Sequence, residues 1–113
     1  MTSRERERLE RRRTALLAEV HGLPNLMRGT LYERQRKCGR ASCTCASGGP
    51  RHPGLQLTVN QRGRTWTRFV RQSERATVEE WLRNYQRLWA IIEELTTINL
   101  ELLHAAPGRP QEP

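Results

Sequence analysis

Three cysteines fall within the eight residues Cys38–Cys45, and no other feature limits so strongly what this chain can become. From Cys38 to Gly54 the chain is rich in Gly, Ser, Pro and Cys, so a purely organic loop there has no apolar means of ordering itself. The spacing Cys38-x4-Cys43-x-Cys45-x6-His52 gathers three thiols and an imidazole within fifteen residues. Zinc takes four such ligands in a tetrahedron, and Cys3His is a closed structural set. Lys37, Arg40 and Arg51 stand beside the thiols, where positive charge favours the thiolates that zinc needs. The expected metal ligands are therefore Cys38, Cys43, Cys45 and His52, holding a structural Zn2+. His52 is the weakest of the four, since a histidine in a Pro/Gly loop is often only solvated. His21 and His104 are expected to be ordinary solvent-facing histidines.

An odd number of crowded cysteines argues against a secreted disulfide framework and for thiols kept reduced for metal. No apolar run reaches the length of a signal-peptide core or a membrane span, so the expected location is cytoplasmic and no membrane partner is expected. Catalysis is not expected either. A zinc deaminase needs His-x-Glu with Pro-Cys-x-x-Cys, a thioredoxin-like site needs Cys-x-x-Cys, and an iron–sulfur cluster usually needs four cysteines. A metal with four protein ligands keeps no open position.

Charge is distributed unevenly. Between Arg28 and Arg71 there are ten Lys/Arg and one acid, Glu33, whereas three Arg and six Glu follow from Ala76 onward. A basic middle segment suggests a polyanionic partner, against the plainer reading of a general arginine bias that aids solubility. At 35% hydrophobic residues and a single Phe, 113 residues supply one thin-cored domain, of the kind that usually needs a metal or a partner chain.

The expected architecture is α+β: an N-terminal helix, a zinc knuckle with a small antiparallel β-sheet, and a long C-terminal amphipathic helix. Residues 1–27 form the basic helical segment, 28–105 the core, and 106–113 a tail with nothing to bury. The first helix is expected over 3–20, capped by Ser3, with Leu9, Leu16, Leu17 and Val20 as its apolar stripe and Gly22 and Pro24 ending it. Residues 29–37 are either a short strand or an extended approach to the cysteines. Residues 55–60 alternate as a half-buried strand, 64–70 are rich in β-formers, and Gln61-Arg62-Gly63 joins them as a hairpin. A three-residue loop with a glycine bulge is the preferred register. It sets Phe69 opposite Leu55 on the buried face and puts Arg64, Trp66 and Arg68 outside with Gln56, Thr58 and Asn60. A two-residue loop buries Trp66 instead.

Thr77-Val78-Glu79-Glu80 reads as a capping box opening the second helix. Val78, Trp81, Tyr85, Leu88, Ile92, Leu95, Asn99 and Leu102 then follow heptad spacing, with Asn99 at a core position, and Leu82, Trp89, Ile91, Ile98 and Leu103 widen the stripe. Such a stripe suits either an antiparallel pairing with the first helix or an interface with a second copy or a helical partner, built on Trp81, Tyr85, Leu88, Ile92, Leu95, Asn99 and Leu102.

Several stretches resemble a family of short bacterial proteins of unknown function. They are Arg28-Gly29-Thr30-Leu31-Tyr32-Glu33-Arg34, the run Cys38-Gly39-Arg40-Ala41-Ser42-Cys43-Thr44-Cys45 with His52, Arg62-Gly63-Arg64-Thr65, Asn84-Tyr85-Gln86-Arg87-Leu88-Trp89, and Glu93-Glu94-Leu95. The resemblance spans about Arg28 to Leu103 and implies a companion of mobile-element genes, without an activity to carry over. Members of that family follow the histidine with Gly-Pro and a run of aromatics. This chain departs from them with His52-Pro53-Gly54 and then Leu55-Gln56-Leu57.

The functional expectation is a nucleic-acid-binding module, DNA in preference to RNA. Arg36, Lys37, Arg40, Arg51, Arg62, Arg64 and Arg68 would contact phosphates and Trp66 would offer a stacking surface. The alternative is a protein-interaction adaptor acting through the C-terminal heptad helix.

Overall fold

The computed structural model describes residues 1–105. Helix α1 spans Ser3–His21, strand β1 Thr30–Arg36, β2 His52–Gln61, β3 Arg64–Val70, and helix α2 Arg75–His104. The architecture is α+β, with the expected N-terminal helix, a small antiparallel sheet with the Cys/His cluster at one end, and a long C-terminal helix. The expected tail at 106–113 lies outside the described residues. Among those described, no helix is long and apolar enough to cross a membrane. The described residues divide into two compact units: Met27–Arg83, with the sheet and the start of α2, and Met1–Leu26 with residues 84–105.

In the helical unit, Thr2 rather than Ser3 caps α1: its hydroxyl accepts from the Glu5 N–H at 3.1 Å and the Glu5 carboxylate accepts from the Thr2 N–H. The helix starts one residue earlier than Ser3 capping requires because Thr2, not Ser3, has the acid three residues on. Leu16, with no exposed surface, packs with Ile91, Ile98 and Leu102, and Leu9, Val20 and Leu95 flank them. Leu17 was expected in the stripe, but it is 54% exposed on the far side of α1. Arg12 pairs with Glu94 at 2.9 Å, and Arg87 pairs with Glu19. As position rises along α1 it falls along α2, so the helices run antiparallel. The inward row of α2 is Ile91, Leu95, Ile98 and Leu102. Asn99, expected in the core, is exposed, and its Oδ1 accepts from Arg13 at 3.5 Å.

In the sheet unit the strand order is β1-β2-β3, antiparallel throughout. Leu55, Leu57 and Val70 from the sheet pack on Val78 and Leu82 of α2, with Met27, Leu31 and Val59 at the margin. The hairpin corrects the preferred register. Gln61 pairs with Arg64, leaving a two-residue turn, Arg62-Gly63. Both residues have positive φ, 51° and 76°, the backbone of a type I′ turn, whose twist matches that of the flanking strands. Gly63 takes this conformation without cost, and Arg62 tolerates it.

With that register Val59 faces Trp66 and Leu57 faces Arg68, so Trp66, Arg64 and Arg68 belong to the core-side face. Phe69 faces Gln56 on the opposite side. Trp66 is nonetheless 55% exposed, because Val78 and Leu82 pack on the Leu55–Leu57–Val70 end of that face. The start of α2 also differs from expectation. Arg71–Glu74 forms a tight turn in which the Glu74 carboxylate accepts from the Arg71 N–H at 3.0 Å, and α2 begins at Arg75, leaving Thr77 inside the helix.

Candidate metal centre and the basic surface around it

The knuckle follows from the ends of two strands. β1 delivers the chain to Cys38 and β2 begins at His52, and Arg36 and His52 are the last paired residues of that ladder. Between them a single 3₁₀ turn, Thr44–Ser47, carries Cys45 inward, where it is fully buried. Cys38 and Cys43 are half-buried and His52 is exposed. The four ligand atoms lie within 4.8 Å of one another. Cys38 Sγ and Cys45 Sγ are 3.6 Å apart, and Cys43 Sγ and His52 Nε2 are 3.1 Å apart. Four atoms around one zinc with 2.3 Å sulfur bonds would sit about 3.8 Å from each other. The donor set therefore fits one metal ion once its separations adjust by up to about 1 Å.

Local electrostatics suits a cation. A backbone hydrogen bond from Arg40 pulls the Cys38 thiol below its ordinary range, with the neighbouring thiols and the Arg40 charge adding to this. Cys45 also accepts a backbone hydrogen bond, from the Cys38 N–H at 3.4 Å, which favours its thiolate. Burial and the thiols of Cys43 and Cys38 outweigh that bond and push Cys45 up. Three thiols this close cannot all ionise without a positive charge among them, which a bound metal supplies.

The expected phosphate-binding residues are spread over three places. Lys37, Arg40 and Arg51 are exposed on the knuckle and its flanks. Arg62 and Arg64 sit at and beside the hairpin turn, while Arg68 lies on the core-side face and is bound to Glu74 at 2.9 Å. Arg36 lies on the opposite, open face, with its guanidinium 4.1 Å from the centre of the Phe69 ring. It reaches there by crossing Gly54, where any Cβ would stand 3.3 Å from Arg36 Nε. Arg34, not singled out from the sequence, is on the same face and donates to Gln56 Oε1 at 3.3 Å. Only the register of β1 on β2 reveals this, and alternation within 29–37 was too weak to give it.

Of the expected interface residues, Leu102 is buried inside the helical unit. Leu88 and Leu95 of that unit are half-buried, as is its Tyr85. Trp81, in the sheet unit, is half-buried, and its carbonyl accepts from the Met27 N–H at 3.2 Å. Ile92 and Asn99 are exposed. The exposed apolar side chains on the C-terminal part of α2 are instead Trp89, Ile92, Leu100 and Leu103.

The unit Met27–Arg83 contains twelve Lys/Arg against four Glu, and the remainder of the chain eight against eight, so the net charge of +8 belongs to the sheet unit. Three of its four acids, Glu33, Glu74 and Glu79, are spent on Arg68, Arg75 and Arg83. Arg34, Arg36, Lys37, Arg40, Arg51, Arg62 and Arg64 are in no ion pair among the described residues.

No curated protein and no solved structure matches this chain. The metal cluster, the sheet and all of α1 but Ser3 fall inside the one stretch that a family profile does match, residues 4–84, and the chain belongs to that family, described as Domain of unknown function (DUF6788).

Proposed function

We propose that this protein is a zinc-stapled nucleic-acid-binding module, DNA in preference to RNA, acting through the unit Met27–Arg83. The observation that carries the reading is the confinement of the whole net charge to that unit, with most of its cations free of carboxylate partners. An arginine already paired with a carboxylate gains little from a phosphate, whereas an unpaired one releases counterions from the polyanion. Zinc is the ion that three thiolates and an imidazole favour, and with four protein ligands its role is structural. It ties the end of β1 to the start of β2 and so orders the stretch that carries Lys37, Arg40 and Arg51. Elemental analysis should give one zinc per chain. Nuclease-treated protein should bind labelled DNA at 50 mM salt, and a chain that binds neither DNA nor RNA there refutes the reading.

A second reading is favoured by Trp89, Ile92, Leu100 and Leu103, which project from α2 at helical spacing without cover. On this reading α2 pairs with a second copy or a helical partner, and the module is an adaptor. Sedimentation at micromolar concentration separates the two, since a monomer insensitive to Ile92→Glu leaves the strip without a role.

A further inference from the structure

Of the open face of the sheet only Arg36 was part of the expected binding surface, yet this face also carries two exposed aromatic rings. Tyr32 on β1, Gln56 on β2 and Phe69 on β3 are direct partners across the three strands, so they form one row perpendicular to them. The rings at the ends of the row are 38% and 41% exposed, and Gln56 between them is 4% exposed. Adjacent strands are about 4.8 Å apart, so the rings stand about 10 Å apart with a low floor between them. Arg34 leans onto the floor through Gln56, and Arg36 crosses Gly54 to lie on Phe69. The Tyr32 hydroxyl is 3.3 Å from that of Thr58, which steadies the ring at its rim. His52 belongs to this face too, as the partner of Arg36, so the Cys/His cluster lies to one side of the row, farther along β1 and β2.

Resting on the proposed function, we infer that this face binds one unpaired strand of nucleic acid, with bases stacked on Tyr32 and on the Phe69–Arg36 pair and phosphates held by Arg34. Ring faces and guanidinium planes stack on any base, whereas a base inside a duplex offers no free face. The charge is complementary: Arg34 and Arg36 project from this face, and its carboxylate-free rows leave a phosphate nothing to repel it. The two rings and the two arginines are common chemistry to DNA and RNA, so on this face the two single-stranded backbones should bind alike, and the preference for DNA belongs to duplex contacts outside it.

The test is fluorescence anisotropy on the full zinc-loaded chain with a thymidine 12-mer, a uridine 12-mer and a 12-base-pair duplex. The single strands should bind more tightly than the duplex and within a few-fold of each other. Tyr32→Leu and Phe69→Leu keep apolar bulk on the strand but remove the ring. Each should weaken single-strand binding about 5- to 100-fold while leaving duplex affinity within twofold, and Tyr32→Phe should restore it. On the unaltered chain, photocross-linking to a bromouridine-containing strand should map to Tyr32 or Phe69. Cross-linking at Trp66, or equal binding of duplex and single strands with both leucine variants unaffected, overturns this inference and leaves the proposed function standing. Absence of binding to all three probes removes the proposed function itself.

Discussion

Stripping the metal should unfold one unit of this chain and spare the other. Between Arg36 and His52 the only buried side chain is Cys45, and its neighbours are two thiols and an exposed imidazole. Without the ion this stretch has no apolar contact to hold it, and the ladder it joins ends at the Arg36–His52 pair. Structural zinc in small fingers contributes on the order of 10 kcal/mol of folding free energy. Whole domains are stable by only about 5–15 kcal/mol, so a loss of that size is comparable with the entire stability of the sheet unit. The core of Leu16, Ile91, Ile98 and Leu102 lies in the unit that holds no ligand and should persist, whereas the sheet core rests on β2, which begins at His52. Hydrogen exchange read by mass spectrometry, before and after chelation or in Cys45→Ser, is the assay. Protection should vanish over 30–70 and survive over 3–21 and 88–104. Unchanged protection over 30–70 after the metal has left would refute the claim that the knuckle depends on it.

Leu16→Ala should cost about 2–5 kcal/mol in denaturant unfolding, since the side chain is wholly buried, whereas Leu17→Ala should stay within about 0.5 kcal/mol. Arg62→Asn should raise stability by up to about 1 kcal/mol, because asparagine adopts the left-handed conformation of the first turn position more readily than arginine. A fall in melting temperature instead would mean that the turn is not the I′ type. Side-chain hydrogen bonds from Arg87 and Arg12 lower the Glu19 and Glu94 carboxyls, respectively, below the usual carboxylate range. A depressed folded-state value gives stability that is present above the unfolded value and lost as pH falls through the folded one. The helical unit should therefore weaken on acidification below the normal glutamate range, and Glu19→Gln with Glu94→Gln should flatten that dependence in pH-resolved thermal melts.

The Cys/His cluster that could hold a metal was legible because its spacing is chemically specific, and the order of elements because turn residues and apolar periodicity agree along the chain. The hairpin register was not. Gln61-Arg62-Gly63 permits a two- or a three-residue loop, and the choice rests on Arg62 accepting a positive φ, which residue type alone disfavours. That single slip moved Trp66, Arg64 and Arg68 to the other face and hid Phe69 among supposed core residues. The seam on α2 misled for a different reason. Its apolar residues cover more than half the helix circumference, so a 3-4 repeat can be drawn through several rows. Only the antiparallel packing of α1 selects Ile91, Leu95, Ile98 and Leu102 as the inward one. Arg34 and Tyr32 went unnoticed because β1 has one half-buried position, Leu31, and shows no alternation to read.

The central claim is that the unpaired cations of the sheet unit bind a polyanion, and the salt dependence of affinity tests it most directly. Each phosphate neutralised on duplex DNA contributes about −0.9 to the slope of log K against log salt. With about five contacts, affinity should drop by roughly two to three decades between 50 and 200 mM salt. Replacing Arg62 and Arg64 by glutamine should flatten the slope by up to about two, whereas replacing Arg8 and Arg11 of the charge-balanced helical unit should leave it unchanged. A slope that ignores Arg62 and Arg64 but collapses with Arg8 and Arg11, or binding that ignores salt altogether, would contradict the account.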